Sequence, residues 1–355
     1  YATGEAELEP GLNLIIGSNG QGKTSLLEAI YCLSALASHR TSSPSAMVRH
    51  GAERAVVQAV GVVANRQIGV DAEIGRTGGI RVRVDKQLQT RKSRSRSPVS
   101  VLFSPEDLAM VKGGPEERRR FLDNAAARVR PLAAADRMDF ERALRQRNGA
   151  LRAARANPRQ IDHLEIWSEQ VAVTGAAVVR HRLAVLAQLE PPVHRRYLEL
   201  ASDQPPELVY RATWAEGELP EDPAEIAGML RRALSKSQST DLERATTSVG
   251  PHRDDLRILL AGSDARVYAS QGEQRTIALS LRLAERDTIA EEHGEHPVLL
   301  LDDVFSELDD HRRHQLSQLV AITGQTVATA TSAESLPIWS AQLMVVEEGR
   351  LRRVG

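Results

Sequence analysis

The sequence predicts an α/β fold, with a mixed sheet core and further antiparallel strands, interrupted by an inserted helical arm. Leu12–Ile16 reads as a buried strand, followed by a glycine-rich loop and an apolar-periodic helix from about residue 24 to 37. Short segments rich in valine or isoleucine, typical of antiparallel strands, lie at 54–63, 67–74 and 79–84. After a helical middle, strand patterns return at 256–261, 298–303, 326–331 and 343–348.

The domain organisation follows from this arrangement of strands around a helical middle. We expect residues 1–112 and 246–355 to share one sheet and form a head domain, with 113–245 forming a helical arm or lid. The acidic, proline-rich stretch 202–223 predicts a surface excursion within the arm. The low-complexity segment 91–97 predicts a mobile loop.

Bulk composition is that of a globular protein of the cytoplasm. The 355 residues favour two domains, and hydrophobic and charged contents of 41% and 26% are ordinary. No apolar run approaches the ~20 residues needed to cross a bilayer, and no leader pattern opens the chain, so we expect neither a membrane role nor secretion. The lone Cys32 excludes an intramolecular disulfide. Because the chain opens at Tyr1, we expect a short native segment to precede it.

A net charge of −1 conceals an uneven distribution. Between Arg81 and Arg159 there are 20 Lys/Arg and 9 Asp/Glu, a local charge of +11, which leaves −12 for the remainder. Such a block is typical of a polyanion-binding surface, although solvated helix faces would give the same count. Aromatic residues make up only 3%, so we expect nucleic-acid contacts to go to phosphates. The candidate DNA contacts are Arg91, Lys92, Arg94, Arg96, Arg118, Arg119 and Arg120.

The strongest motif is a phosphate-binding loop of the form G-x-x-x-x-G-K-T between a strand and a helix. Its glycines let backbone N–H groups approach a phosphate, and the helix N-terminus adds partial positive charge. Lys23 is placed to reach the β- and γ-phosphates and Thr24 to ligate Mg²⁺. An incidental glycine-rich turn is the alternative. The predicted ATP-binding residues are Gly17, Ser18, Asn19, Gly20, Gln21, Gly22, Lys23, Thr24 and Ser25.

A second motif is the apolar run Val298–Leu301, which ends in Asp302 and Asp303. A buried strand that delivers an acid at its C-terminal end is the Walker B arrangement, and Asp302 is then placed to hold Mg²⁺. Asp303 takes the position of the group that orients or deprotonates the attacking water. With Lys23, it is our candidate catalytic residue. The alternative is an ordinary strand end.

A third motif precedes a helix predicted for 271–291. Serine and glycine at a helix start offer free backbone donors and form an anion site. The residues Ser270, Gln271, Gly272 and Glu273 resemble the signature of ABC ATPases, with Gln271 in place of its first glycine. In that superfamily the signature of one subunit closes over the γ-phosphate held by the other. The resemblance therefore implies an ATP-dependent homodimer, whereas a simple capped surface helix would imply none.

Six segments together resemble the RecF family of bacterial DNA replication and repair proteins. They are GSNGQGKTSLLEAI (17–30), LFSPEDL (102–108), GGPEERRRFLD (113–123), VGPHRDDL (249–256), ASQGEQRTIALSLRLAE (269–285) and VLLLDDVFSELD (298–309). The resemblance implies an ABC/SMC-type P-loop ATPase head with ATP and Mg²⁺ as cofactors. It further implies dimerisation on double-stranded DNA, including gap edges, with weak, DNA-stimulated hydrolysis. We also expect from this resemblance that the protein acts with RecO and RecR to load RecA at single-strand gaps. The same resemblance implies a role in the SOS response and a cytoplasmic, nucleoid-associated location.

Two switch elements depart from the usual ABC pattern. The Q-loop glutamine is absent from 101–108, where Glu106 or the nearby backbone is the candidate substitute. The H-loop histidine is also absent, and Thr329 or Thr331 stands there instead. The VGPHRDDL segment contains a lone histidine and arginine whose roles the residues alone leave unassigned.

Three other functions fit part of the sequence. Another SMC-like ABC ATPase shares the same motifs. A transporter's nucleotide-binding subunit also shares the loop, signature and Walker B, but it should carry both switch residues and lack an arginine-rich insert. A module that uses ATP only as a conformational latch would not need the Asp302–Asp303 pair.

Overall fold

The computed structural model describes the chain except for residues 36, 42, 64, 78, 90–98, 158–160, 202, 323, 333–341, 348–349 and 355, and the side chains of 162 and 322. The chain divides into two compact units. Unit 1 comprises 1–108, 196–203 and 278–355, and unit 2 comprises 109–195 and 204–277. The segment 91–97, predicted to be a loop, lies outside the described residues.

Unit 1 is built on a six-stranded mixed sheet with the order β13-β12-β1-β11-β10-β6. All neighbouring pairs are parallel except the edge pair β12–β13. The strands are β1 (Leu12–Ile16), β6 (Ser100–Phe103), β10 (Val298–Leu301), β11 (Thr326–Ala330), β12 (Gln342–Glu347) and β13 (Arg350–Val354). Strands from both ends of the chain thus share one sheet, which confirms the predicted mixed α/β core.

A second, antiparallel sheet in unit 1 has the order β2-β3-β4-β5. Its strands are β2 (Arg54–Val63), β3 (Arg66–Gly75), β4 (Gly79–Val84) and β5 (Gln87–Leu88). Alternate residues of β3 are buried, because side chains point to opposite faces along a strand. Ile68, Val70 and Ile74 pack with Cys32 and Leu33 of the first helix, α1 (Lys23–Ala35).

Helix α1 therefore lies between two apolar cores. Its Leu27 packs with Ile15, Leu300 and Val327 of the mixed sheet, in a different core cluster from Cys32. Unit 1 also contains α10 (Asp310–Ile322) and residues 278–293 of α9 (Gln271–His293). The start of α1 at Lys23 follows the carboxyl end of β1 at Ile16, and ligands bind at such strand ends in open α/β sheets.

Unit 2 is mainly helical. Its elements include α2 (Ala109–Lys112), α3 (Pro115–Val129), α4 (Ala133–Ala156), most of α5 (Asp162–Ala201), α6 (Pro223–Lys236), α7 (Gln238–Arg244) and α8 (Ala265–Tyr268). A three-stranded antiparallel sheet with the order β7-β8-β9 accompanies them: β7 (Glu207–Arg211), β8 (Asp255–Leu260) and β9 (Ser263–Asp264). Phe140, Val171, Trp214 and Leu230 lie in its apolar core.

Two features of unit 2 differ from the sequence expectation. The stretch 202–223 is no simple surface excursion, because it contains β7 and the buried Trp214. Strand β8 pairs with β7, so residues 246–277 cluster with unit 2, whereas the expected boundaries placed them in the head. In the described part of the chain, no helix is long and apolar enough to span a bilayer.

Candidate functional site

The phosphate-binding loop runs from Gly17 to Gly22, between β1 and α1, and two of its glycines are required by close neighbours. A Cβ on Gly17 would lie 2.5 Å from the carbonyl oxygen of Val346 on β12. Gly22 has φ +104°, and a Cβ there would lie 2.9 Å from the ring of Tyr1, whose hydroxyl donates to the Gly22 carbonyl oxygen. The loop backbone therefore packs closely against Val346 and Tyr1, because neither glycine carries a side chain.

Lys23 begins α1 and is buried, with only 7% of the residue exposed. Its Nζ donates to the carbonyl oxygens of Gly17 (2.7 Å) and Ser18 (3.2 Å). The ammonium group is thus directed over the first half of the loop, while Ser18, Asn19 and Gly20 remain exposed. This places a cation and an exposed turn at the positive end of a 13-residue helix, an arrangement suited to an anion.

The two predicted magnesium ligands lie in contact, although 278 residues separate them. Thr24 Oγ1 donates to Asp302 Oδ1 (3.1 Å). Asp302 is buried directly after β10, and its backbone N–H donates to Phe103 O at the end of β6 (2.9 Å). The parallel strands therefore deliver Asp302 to the start of α1.

Thr329 of β11 completes this arrangement. Its Oγ1 donates to Asp302 Oδ1 (2.7 Å) and accepts the backbone N–H of Asp303 (2.9 Å). Sequence reasoning noted Thr329 only as occupying the place of a missing histidine. In the structure this buried hydroxyl connects both acidic residues.

Asp303 has a left-handed backbone with φ 52°, an unusual conformation for a residue with a side chain. The turn redirects the chain immediately after β10, and Asp303 O accepts a bond from Ser306 Oγ (2.7 Å). Asp303 Oδ1 is inaccessible to solvent and has no hydrogen-bond partner among the described residues. A buried carboxylate oxygen without a donor is rare and points to a role toward a bound group.

These residues fit a magnesium nucleotide. Mg²⁺ prefers oxygen ligands and is usually held by one or two carboxylates together with substrate phosphates. Asp302 and Thr24 supply such oxygens, Lys23 supplies the cation for phosphate, and the glycines at 17 and 22 let the loop backbone pass close to Val346 and Tyr1. Over the described residues, no cluster of three or more His, Cys, Asp or Glu side chains could hold a metal by itself. The geometry thus favours a metal bound jointly with phosphate.

A cleft of about 520 Å³ adjoins the start of the loop in unit 1. Two arginines of β13, Arg350 and Arg352, line it and were not singled out from the sequence. They alternate along one face of the strand and bring positive charge toward the loop. The other lining residues are Ile16, Gly17, Ser18, Gln21, Thr331, Val345, Val346 and Glu347.

The predicted signature residues form a capping box at the start of α9. Glu273 N donates to Ser270 Oγ (3.3 Å), and Ser270 N donates to Glu273 Oε2 (2.6 Å). Ser270 and Gln271 are exposed, and Gly272 is half-buried. The hydroxyl hydrogen of Ser270 is free to donate outward, because its oxygen acts as the acceptor in the box.

Of the pair following β6, Asp107 has a scaffold role. Asp107 Oδ2 accepts from Ser104 N (3.0 Å), and Oδ1 accepts from Arg282 Nη2 (2.6 Å). Glu106, the candidate Q-loop substitute, is exposed. Only Glu106 of this pair is therefore available to a ligand.

The VGPHRDDL segment builds the polar interior of unit 2. Asp254 Oδ2 accepts from Tyr210 Oη (2.6 Å) and Oδ1 from Trp214 Nε1 (2.7 Å). Arg182 donates to Pro251 O (2.7 Å) and forms a two-pronged pair with Asp123. Burial raises the pKa of Asp254 to about 6.

His252 in the same segment is held differently. Its Nε2 lies 3.0 Å from Thr247 O, and burial lowers the pKa of its imidazole to about 4. The two aspartates and the Nε2 atom of this histidine therefore belong to the polar interior of unit 2, whereas His252 Nδ1 is buried without a partner among the described residues.

The arginine candidates for DNA contact separate into two groups. Arg118 is buried and forms a two-pronged pair with Asp255 (2.8 and 3.0 Å), while half-buried Arg119 donates to Asp254 O (2.7 Å). Their guanidinium groups are thus engaged inside unit 2, and only Arg120, which pairs with Glu117, is exposed. Arg91, Lys92, Arg94 and Arg96 lie outside the described residues.

Comparisons with known proteins identify the family of this chain. The family described as the RecF/RecN/SMC N terminal domain matches residues 1–347. The chain is 40% identical over 362 residues to the DNA replication and repair protein RecF of Streptomyces avermitilis, covering 100% of this chain and 96% of that protein. It is 41% identical over 346 residues to the protein of the same name from Acidothermus cellulolyticus, with coverages of 95% and 92%.

Solved structures give the same result. The recombination mediator protein RecF-ATPrS of the RecFOR pathway matches with a TM-score of 0.89 at 32% identity, covering 99% of this chain and 94% of that one. The SmcHead bound to the C-winged helix domain of ScpA matches with a TM-score of 0.53 at 16% identity, covering 97% and 89%, which shows a shared fold alone. The chain belongs to the RecF family of DNA replication and repair proteins, whose fold is the ABC/SMC-type ATPase head.

Proposed function

We propose that this protein is an ATP-dependent DNA-binding mediator of recombination and repair. One observation carries the proposal: Thr24, Asp302 and Thr329 form a hydrogen-bonded set at the phosphate-binding loop. The chain that holds this set is similar over its full length to RecF proteins. Relatives solved as RecF-ATP and RecF-ATPrS support ATP as the nucleotide.

ATP binding would use Gly17–Thr24 and Ser25, with Lys23 moving its ammonium from the loop carbonyls to the β- and γ-phosphates. Thr24 and Asp302 would hold Mg²⁺, which supplies Lewis-acid stabilisation of charge on the phosphates. Arg350 and Arg352 add positive charge at the neighbouring cleft.

Hydrolysis would depend on Asp303. Its buried Oδ1 has no donor among the described residues and is therefore able to accept a bond from the attacking water. An aspartate reaches less far than the glutamate common in transporters, and its left-handed backbone restricts adjustment. We expect weak hydrolysis, stimulated by DNA, that acts as a release step.

A second copy of the chain would complete the site. Ser270, Gln271, Gly272 and Glu273 lie at the N-terminus of the 23-residue helix α9, which favours negative charge. The exposed Ser270 hydroxyl is available as a donor to a γ-phosphate held by the partner copy. Two such sites would form in a two-fold symmetric dimer.

For DNA contact we retain Arg120 and the cluster at 91–96. The solved relative's place in the RecFOR pathway supports RecO and RecR as partners. As the outcome we propose RecA loading at gap edges. Because DNA is the proposed substrate, we propose that the protein is located in the cytoplasm and associated with the nucleoid.

The test is a binding and hydrolysis assay with defined duplex and gapped DNA at moderate salt. We expect DNA binding to require ATP, hydrolysis to rise with DNA, and Lys23→Met to lose both. Ser270→Arg should keep ATP binding and lose ATP-dependent dimerisation, as measured by light scattering. If DNA did not bind in the presence of ATP, the repair assignment would be wrong.

A further inference from the structure

A short loop after α1 folds back along the helix that begins at the phosphate-binding loop. Ser38 Oγ donates to Glu28 Oε1 and accepts the backbone N–H groups of Arg40 and Thr41, each at 3.0 Å. Next to it, the His39 ring lies edge-on to Tyr31, with ring centres 5.6 Å apart and an angle of 84°. Two contacts on α1, Glu28 and Tyr31, thus fix the position of His39.

These two contacts lie on the helix face that carries the candidate magnesium ligand. Thr24, Glu28 and Tyr31 are spaced by four and three residues, and residues at these spacings are neighbours on one side of a helix. At a rise of about 1.5 Å per residue, Glu28 lies about 6 Å along the axis from Thr24. Thr24 in turn contacts Asp302. His39 is therefore held along the face that leads to the acidic end of the site.

The carboxyl ends of β6 and β10 form the other side of this region. The two strands are parallel neighbours, and Asp302 N donates to Phe103 O at the end of β6 (2.9 Å). Glu106 follows three residues after Phe103, in the short turn Pro105–Leu108. Burial lowers the pKa of His39, the charges of Glu28, Asp302 and Glu106 raise it, and the charge of Arg40 lowers it.

His39 itself is unusual because both of its ring nitrogens are inaccessible to solvent. Neither Nδ1 nor Nε2 has a hydrogen-bond partner among the described residues. A neutral imidazole carries one donor and one acceptor, and buried groups of this kind are normally paired. Glu28 is already engaged by Ser38, and Asp302 Oδ1 by Thr24 and Thr329. The ring therefore presents a donor and an acceptor that the scaffold leaves unused.

We propose that His39 senses the triphosphate state of the nucleotide site, by hydrogen bonding to an oxygen that enters with the terminal phosphate beside Asp302 and Glu106. The proposal rests on the ATP binding proposed above. It gives this loop a contact with a nucleotide bound to the same chain. Thr329, which takes the position of the missing histidine, already donates to Asp302. The loss of the terminal phosphate would break this bond and free the loop.

The experiment compares the affinities of the full chain for magnesium ATPγS and magnesium ADP in the wild type, His39→Ala, His39→Gln and His50→Ala. His50 is exposed in the same unit and serves as the matched control. We expect His39→Ala to weaken ATPγS binding about tenfold, the scale of one hydrogen bond to a charged group, and to leave ADP binding within about twofold. His39→Gln should restore part of the loss, and His50→Ala should change neither affinity.

A second measurement does not require a variant that folds. In nitrogen-15 NMR spectra of the wild-type chain, the ring signals of His39 should shift on adding magnesium ATPγS and stay in place with magnesium ADP. The proposal would be overturned if His39→Ala weakened the binding of both nucleotides equally or changed neither affinity, and if the His39 ring signals were identical with the two nucleotides. If the wild type bound neither nucleotide, the proposed function would itself be wrong, and that result is distinct from the first.

Discussion

The two units each contain a pair of adjacent aspartates, and the pairs differ in what surrounds them. In unit 1, Asp302 accepts from the hydroxyls of Thr24 and Thr329, and Asp303 Oδ1 has no partner among the described residues. In unit 2, Asp254 accepts from Tyr210 and Trp214, and Asp255 forms a two-pronged pair with Arg118.

This difference separates the proposed ligand site in unit 1 from a scaffold in unit 2. A hydroxyl can rotate and exchange a carboxylate for a metal or a water, so the unit 1 pair is adaptable. In unit 2 both oxygens of each carboxylate have a donor: Tyr210 and Trp214 for Asp254, and the guanidinium fork of Arg118 for Asp255. Burial of a carboxylate therefore does not identify a ligand site, whereas a buried oxygen without a donor, as in Asp303, points to one.

The largest expected effect tests the unit 1 side of the comparison. Asp302→Asn should lower ATP hydrolysis by about 100- to 1000-fold, because loss of the proposed metal ligand would remove several kcal/mol of charge stabilisation. The melting temperature should change little, since Asn still accepts from both hydroxyls. Steady-state hydrolysis and calorimetry measure the two quantities. If the free energy of unfolding fell by as much as the activation free energy of hydrolysis rose, Asp302 would instead have a structural role.

The next effect tests the unit 2 side. Arg118→Ala should lower the free energy of unfolding by about 3 kcal/mol, because it leaves Asp255 without its partner in a largely buried pair. Arg120→Ala, in which an exposed pair with Glu117 is lost, should cost less than about 1 kcal/mol and serves as the control. Urea unfolding gives both values. Unchanged stability in Arg118→Ala would contradict a scaffold role.

The pH dependence of unit 2 offers a third test, because two of its groups act in opposite directions. The folded pKa of Asp254 is raised from 3.8 to about 6, so its contribution to stability is present below pH 3.8 and lost as pH rises through 6. The folded pKa of His252 is lowered from 6.5 to about 4, so its contribution is present above pH 6.5 and lost as pH falls through 4.

Single variants should therefore show the pH dependence of stability that each remaining group produces. Between about pH 4 and 6.5, His252→Gln should become less stable as pH rises, and Asp254→Asn more stable, each on the order of 2 kcal/mol. The wild type should be nearly flat in this window by comparison. Urea midpoints at half-unit intervals measure all three. Slopes of the same sign in both variants would show that these residues do not set the pH response.

The smallest effect concerns Thr329. Thr329→Val removes the donor to Asp302 and the acceptor for Asp303 N–H, and should lower hydrolysis roughly tenfold, the effect of about 1–2 kcal/mol. Thr326→Val on the same strand is the control, because Thr326 Oγ1 is buried without a partner among the described residues. That control should be neutral or slightly stabilising. Equal effects of the two variants would contradict the specific role of Thr329.

Much of unit 1 could be predicted because its signals are local. The spacing of Gly17, Gly22 and Lys23 defines a strand–loop–helix unit by backbone geometry alone, and alternation predicted the antiparallel strands. The strand at 207–211 was missed, because the acidic, proline-rich flanks outweighed five residues that are stabilised by pairing with β8. Arg118 and Arg119 looked like surface charges, since a sequence does not reveal which carboxylate lies opposite an arginine.

By itself, the sequence determined the strand–loop–helix unit at Gly17–Lys23 and the acidic end of β10, and it predicted their chemistry, because both motifs are contiguous and depend on neighbouring residues. Only the tertiary structure decided which groups meet them. Thr24 contacts Asp302 across 278 residues, and Thr329 bridges Asp302 and Asp303 from a third strand. Such partners depend on the parallel register of β10 and β11, which long-range packing sets. The residues next to each motif give no information about this register.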